Sequence, residues 1–265
     1  MKSSKVTETK SLGFIGGGRI TRIILTGFCR AGKMPSNVVV SDMEERTLSH
    51  LNGLFPDIRV IHDGNDIVAA QDIIFLALRT PDYAKFLNGI RPVLNPKSIL
   101  VSFAPKLRLV QISSSLGGFD RLVRMIPNAP SIINKGYNPI VFAQGVNDEE
   151  RKALLDLFKL LGESPEVAED SLETYAILTA MGPTYFWPQL DELRLLANAF
   201  GLSDGETSAA IPAMISGAVG TMFSSQLSND EIMDLIPGKP LADDETQIRD
   251  IFRTKLTALH ERMKV

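Results

Sequence analysis

The hydrophobic and polar positions open as short apolar runs separated by mixed, helix-compatible stretches. Leu12-Gly13-Phe14-Ile15 is the first run, and it turns to glycine at Gly16-Gly17-Gly18. Val38-Val39-Val40, Ile58–Ile61, Ile73-Ile74-Phe75-Leu76-Ala77-Leu78, Ile99-Leu100-Val101-Ser102-Phe103 and Leu122–Ile126 follow. The fourth run is apolar throughout, as a strand covered on both faces has to be. Between them lie helical stretches at Ile20 to Ala31, Glu44–Gly53 and Tyr83–Val93. The alternation predicts an α/β fold with a mostly parallel sheet and helices on both faces.

After about Gly162 the pattern changes. Ser171 to Phe200 has almost no period-two alternation. Gln247–Lys264 places Ile248, Ile251, Phe252, Leu256 and Leu259 at helical spacing. A second, all-helical domain is expected, with residues 1–164 forming the sheet domain and residues 165–265 the helical one. Thr207–Phe223 carries almost no charge, and a helix apolar nearly all round has to be buried. A second subunit is the expected cover, which predicts a homodimer. Leu227–Glu245 reads as an irregular connection punctuated by Pro237, Gly238 and Pro240.

The glycine turn carries the chemistry. Glycine lets the backbone approach a pyrophosphate, and the following helix aims its free N–H groups and dipole at the phosphates. The G-x-G-x-x-G spacing is kept at Gly16 and Gly18, with Thr21 in the third place. A Rossmann-type dinucleotide domain is therefore expected. Asp42 stands 24 residues beyond Gly18, after the second strand. A carboxylate there can accept both ribose hydroxyls, which favours NAD. Its other reading is a helix N-terminal acid beside Ser41 as cap. Arg19 and Arg46 can instead neutralise a phosphate and keep NADP open, so the expected cofactor is NAD(P)H. Arg79-Thr80-Pro81 follows the fourth strand, where a nucleotide would lie.

Composition removes several classes. Of 265 residues, 44% are hydrophobic and 22% charged, and the net charge is −3. Scattered Lys and Arg form no basic stripe, so no nucleic-acid partner is expected. No apolar run reaches roughly 18 residues, so no membrane span is expected. Residues 1–10 are polar and do not read as a secretory signal. Cys29, the single cysteine, excludes an internal disulfide and a cysteine zinc site; it reads as a small buried hydrophobe in a cytoplasmic protein. His50, His62 and His260 lie far apart without metal-ligand spacing and read as surface or half-buried side chains, so no metal is expected. Ser113-Ser114-Ser115 lacks a nucleophile-elbow frame, and no phosphate-binding P-loop is present.

Four blocks together resemble the pyrroline-5-carboxylate reductase family. Gly13-Phe14-Ile15-Gly16-Gly17-Gly18 is similar to its GFIGAG turn, and Asp72–Arg79 to its DVVFLAVK strand. Arg124-Met125-Ile126-Pro127-Asn128-Ala129-Pro130 is similar to its RVMPNTP segment, and Gly182-Pro183-Thr184-Tyr185 falls where it has GSGPAY. The resemblance implies a helical C-terminal domain interlocked with a second subunit. It also implies hydride transfer from a nicotinamide to a cyclic imine, making proline. By the same carry-over Gly16, Gly17, Gly18, Arg19 and Ile20 hold the pyrophosphate. Leu78, Arg79 and Thr80 flank the nucleotide, and Ala104, Asn128 and Ala129 sit near the nicotinamide end.

The substrate side departs from that family. Its SPGGTT signature becomes Ile236-Pro237-Gly238-Lys239-Pro240-Leu241, which removes two hydroxyls and an N–H. Its SGSGPAY block becomes Thr179-Ala180-Met181-Gly182-Pro183-Thr184-Tyr185, and AAG after the fifth strand becomes Ala104-Pro105-Lys106. Met181, Gly182, Pro183 and Gly238 are the expected substrate contacts. Thr179, Thr184, Tyr185 and Lys239 are candidate proton donors, with water another. Lys239 or Lys106 can supply one cation in place of the missing donors. The expected function is an NAD(P)-dependent reductase of a small-molecule imine or related carbonyl. The rival is a non-catalytic dinucleotide-binding sensor or scaffold dimer. A β-hydroxyacid dehydrogenase relies on a lysine in its second domain, and Ser171 to Phe223 contains none.

Overall fold

The computed structural model describes residues 10–78 and 83–264. Arg79 and Thr80 lie outside the described residues, as do residues 1–9. Seven strands form one sheet: β1 (Leu12–Ile15), β2 (Val38–Asp42), β3 (Arg59–His62), β4 (Ile73–Leu76), β5 (Ile99–Ser102), β6 (Leu122–Met125) and β8 (Ile140–Phe142). Their order is β3-β2-β1-β4-β5-β6-β8. All neighbours pair in parallel except β8, which runs antiparallel to β6. A separate short ladder joins β7 (Gly136–Tyr137) to β9 (Gly162–Glu163).

Side chains alternating across the strands feed two cores. Phe14, Phe75, Val101 and Val123 meet Ile24, Leu25 and Phe28 of α1 (Arg19–Arg30) on one face. Phe14 and Phe75 stack with centroids 4.5 Å apart. Ile15, Ile74, Leu76 and Leu100 pack on the other face beside Leu87 and Ile90 of α4 (Tyr83–Ile90). β4, β5 and β6 are shorter than their apolar runs, while β2 extends past its own to Asp42. β4 ends at Leu76, and the Ala77 carbonyl beyond it lies against the glycine turn, where a Cβ on Gly16 would meet it. The helical stretch 83–93 closes early as a 3-10 turn at Arg91–Val93, where Pro92 lacks an N–H.

The N-cap position of the α2 helix (Glu45–Leu54) is Glu44, not Ser41, and no side chain caps it there. The Ser41 hydroxyl instead accepts the Gly64 N–H ahead of α3 (Asn65–Ala69). Cys29 is exposed, against the expectation of burial: α1 buries Ile24, Leu25 and Phe28, and the next position turns to solvent. Also present are α5 (Leu109–Ser115) and α6 (Asp148–Phe158). The capping box of Asn147 and Glu150 is the local signal for α6. At the sheet edges, β3 exposes Arg59 and His62 before Asp63 turns away at φ 49°. The outer side of β8 is held by the 165–167 segment: Ile140 N–H donates to the Pro165 carbonyl and Val167 N–H to the Ile140 carbonyl.

Two compact units divide the chain, one of Met1–Met181 with His260–Val265, the other of Gly182–Leu259. Residues 165–181, grouped with the helices by sequence pattern, fall in the sheet-bearing unit. The reason is Arg124 on β6, which is fully buried. Its Nη1 donates to Glu169 at 2.9 Å and its Nη2 to Glu173, on α7 (Leu172–Tyr175), at 2.6 Å.

The second unit is helical: α8 (Trp187–Ala199), α9 (Asp204–Ser224), α10 (Asn229–Asp234) and most of α11 (Glu245–Met263). The 227–245 stretch is not wholly irregular, because Ser228 and Glu231 form a capping box that starts α10. Burial of Thr207–Phe223 does not occur within the chain. Only Thr207 of α9 is buried, while Met214, Ile215, Val219 and Phe223 are exposed, the last by 83%.

Candidate active site

The glycine turn is tightest at Gly16 and Gly17. Gly16 has φ 101°, and a Cβ there would sit 2.7 Å from the Ala77 carbonyl oxygen. A Cβ on Gly17 would meet Leu51 Cδ1 at 2.9 Å and Thr47 Cγ2 at 3.0 Å, both on α2. Gly18 faces open space. It caps α1, and no side chain caps the helix there, so the first-turn N–H groups stay available to an anion. Buried Thr21 replaces the third glycine of the motif, and its hydroxyl donates back to the Gly16 carbonyl. These features fit a dinucleotide pyrophosphate, with Arg19 and Ile20 opening the helix.

Asp42 is engaged by the protein itself. Its Oδ2 accepts the Gly17 N–H at 2.7 Å and its Oδ1 the Glu44 N–H at 2.9 Å. The carboxylate thus braces the turn from the end of β2. Beside it lies a cavity of about 450 Å³ between the starts of α1 and α2. Arg19 and Arg22 line one side, Glu44, Arg46, Thr47 and His50 the other. Arg22 Nη1 stands 3.3 Å from His50 Nε2. Arg19 and Arg46 are the expected phosphate partners; Arg22 joins them without having been expected, and His50, expected only as a surface or half-buried side chain, lines the same cavity. The available signal was spacing: Arg19 and Arg22 are i,i+3 on α1, and Arg46 and His50 are i,i+4 on α2.

Across the sheet, Leu78 follows β4, and its carbonyl accepts the Tyr83 hydroxyl at 2.7 Å. Burial pushes the Tyr83 phenol up to about 12, so it stays a neutral donor. Ala104 is buried after β5, its N–H donating to Ser102 Oγ at 3.2 Å. Asn128, just before Ala129, acts as a clip. Its Oδ1 accepts the Tyr137 N–H at 3.2 Å and its Nδ2 donates to the Thr179 carbonyl at 3.3 Å. Thr179 sits in a π-helical turn, Ala176–Ala180, closed by Met181 N–H on the Ala176 carbonyl. Single π turns recur at functional sites. The Thr179 hydroxyl donates to the Tyr175 carbonyl at 2.8 Å, so its proton is already placed.

The remaining substrate-side residues belong to the helical unit. Gly182, Pro183, Thr184 and Tyr185 form a 3-10 turn. Tyr185 meets Phe252 edge-on at 6.0 Å, and burial pushes its phenol up. Gly238 and Lys239 are exposed. Among the described residues, no group of three or more His, Cys, Asp and Glu side chains is arranged to hold a metal ion. No helix there is long and apolar enough to cross a membrane.

Residues 11–106 match the family described as NADP oxidoreductase, coenzyme F420-dependent. Relatives extend further along the chain. The pyrroline-5-carboxylate reductase of Methanosarcina acetivorans is 24% identical over 230 residues, covering 86% of this chain and 85% of that protein. That of Escherichia coli is 28% identical over 177 residues, 66% of this chain and 65% of its own length. Among solved structures, the Plasmodium falciparum pyrroline carboxylate reductase with NADP bound superposes with a TM-score of 0.78 at 20% identity, covering 97% of this chain and 96% of that one. The Coxiella burnetii pyrroline-5-carboxylate reductase gives 0.74 at 22% identity, covering 97% and 98%. The likeness reaches across both compact units, and in sequence the chain is similar to proteins named pyrroline-5-carboxylate reductase over most of its length.

Proposed function

We propose that the chain is an NAD(P)H-dependent reductase of a C=N bond, acting on pyrroline-5-carboxylate or a related imine or carbonyl acid, and that it prefers NADPH. The observation that carries the preference is the cavity beside the turn. Arg19, Arg22, Arg46 and His50 line it and outnumber its one carboxylate, Glu44, while Asp42 is already turned to backbone N–H groups. A ribose 2′-phosphate gains charge-assisted bonds from arginines in such a place. When bound, the nicotinamide would supply a hydride, one proton with two electrons, to the imine carbon, while the nitrogen takes a proton. Gly16, Gly17, Gly18, Arg19 and Ile20 hold the pyrophosphate; Leu78, Ala104, Asn128 and Ala129 lie along the nicotinamide half. Met181, Gly182, Pro183 and Gly238 are assigned to the substrate side. The proton comes from Thr184, Tyr185, Lys239 or water. Positioning does most of the remaining work. Relatives named as reductases over most of the chain favour this reading over a non-catalytic sensor.

Paired calorimetric titrations with NADPH and NADH, followed by turnover with pyrroline-5-carboxylate, test it. In Arg22→Ala/Arg46→Ala, NADPH affinity should fall ~10–100-fold, since each lost charge-assisted bond is worth roughly 1.5–3 kcal/mol at full strength. NADH affinity should fall far less. Equal losses for both cofactors would remove the preference.

We assign cofactor binding to residues 1–164, and the dimer role and most substrate contacts to residues 165–265. The dimer is supported by the exposed apolar side of α9. Light scattering should give twice the chain mass, and Val219→Glu/Phe223→Glu, one helical turn apart on that side, should give a monomer. A cytoplasmic setting suits the exposed Cys29 thiol, which a reducing compartment leaves free.

A further inference from the structure

Lys106 has a backbone that its side chain does not favour. Its φ is 62°, a left-handed conformation that glycine adopts freely and lysine does not. Such residues persist where surrounding contacts over-determine them, and they gather at ligand sites. Here the contacts are explicit. Lys106 N–H donates to Glu173 Oε1 at 3.0 Å, the same oxygen that Arg124 Nη2 reaches at 2.6 Å. Three residues on, Leu109 N–H donates to Glu169 Oε1 at 2.7 Å, which Arg124 Nη1 also holds. Both ends of the loop after β5 are thus pinned to one buried guanidinium.

The position of that loop matters. The strand order reverses between β1 and β4, and a dinucleotide straddles the reversal at the carboxyl edge. The arginine-lined cavity lies on the β2 side, so the reacting end belongs over β4 and β5. The loop after β5 carries two cations, and Arg108 is paired with Asp170. Lys106 is exposed, and among the described residues no carboxylate pairs with its ammonium. Pro105 before it adds no N–H.

We propose that Lys106 receives the carboxylate of the substrate, so that selection for an imine acid over a neutral imine comes from this one ammonium on a pinned left-handed turn. The proposal rests on the reductase reading above. It makes Lys106 a specificity-determining residue, with Glu173 and Arg124 positioning it.

The experiment compares wild type, Lys106→Met, Lys106→Arg and Lys106→Gly on two substrates, pyrroline-5-carboxylate and 1-pyrroline, which lacks the carboxylate. Wild type should favour the acid. In Lys106→Met the ratio of kcat/KM for acid over neutral imine should fall ~10–100-fold, mostly through the KM of the acid. Lys106→Arg should keep most of the ratio. Lys106→Gly relieves the backbone, folds at least as well, and should lose the ratio like Lys106→Met. A ratio unmoved in both Lys106→Met and Lys106→Gly overturns the proposal alone. Wild type that binds NADPH but reduces neither imine overturns the proposal, and the same failure on a wider panel of imine and carbonyl acids overturns the reductase reading with it.

Discussion

Gly16→Ala should abolish dinucleotide binding and lower the melting temperature together. At φ 101° any L side chain is strained, and here its Cβ would lie 2.7 Å from a backbone oxygen, Ala77 O, which no rotamer change can move. Left-handed strain and overpacking together amount to about 2–4 kcal/mol. For a unit of this size that is a shift of roughly 5–12 °C, read by calorimetry. Gly18→Ala is the informative partner. Nothing lies within 4 Å of the added Cβ, and φ −69° with ψ −160° suits alanine. Stability should change by less than about 0.5 kcal/mol, the usual range for an open position. NADPH affinity should nevertheless fall at least ~30-fold, because the methyl group occupies the space kept for a phosphate and withdraws it from the α1 N–H groups. Wild-type NADPH affinity in Gly18→Ala would remove the turn from the cofactor site.

Arg124→Met should be the most destabilising change away from the turn. The guanidinium is 1% exposed and meets Glu169 and Glu173, whose side chains are 23% and 10% exposed. Removing the cation leaves two carboxylates facing each other near the core, and breaking a buried pair from one side costs ~3–5 kcal/mol. Partial exposure of Glu169 puts the expected loss at the low end, about 3 kcal/mol. Glu173→Gln keeps the shape and an acceptor for Lys106 N–H, so its loss should be smaller. A melting temperature in Arg124→Met within about 2 °C of wild type would mean that the carboxylates are solvated once the arginine is gone.

The sheet domain was legible because its information is local. Each of the first six strands is an apolar run bounded by turn residues, and the glycine turn marks the first crossover. The antiparallel β8 and its neighbour α6 were harder, since Ile140–Phe142 is three residues long and is recruited by pairing with β6. Arg22 and His50 escaped because nothing in a linear sequence says that the α1 and α2 faces close around one cavity. Arg124 sat in plain view within a recognisable segment, yet its partners are 45 and 49 residues away. The boundary between parts blurs for the same reason: the pattern after Gly162 is helical, but a buried arginine draws residues 165–181 onto the sheet-bearing unit. Cys29 was misjudged by composition, since one residue of rotation on α1 separates it from buried Phe28.

Both flanks of the sheet also bear on how copies of this chain meet. An open strand is a template for aggregation, because its unpaired N–H and C=O groups accept any extended segment. Here one flank is four residues long with Arg59 and His62 outward, and Asp63 bends the chain away. The opposite flank is already occupied by the 165–167 segment. Neither offers a ready ladder, so crowding this protein at high concentration should not seed fibrils through the sheet.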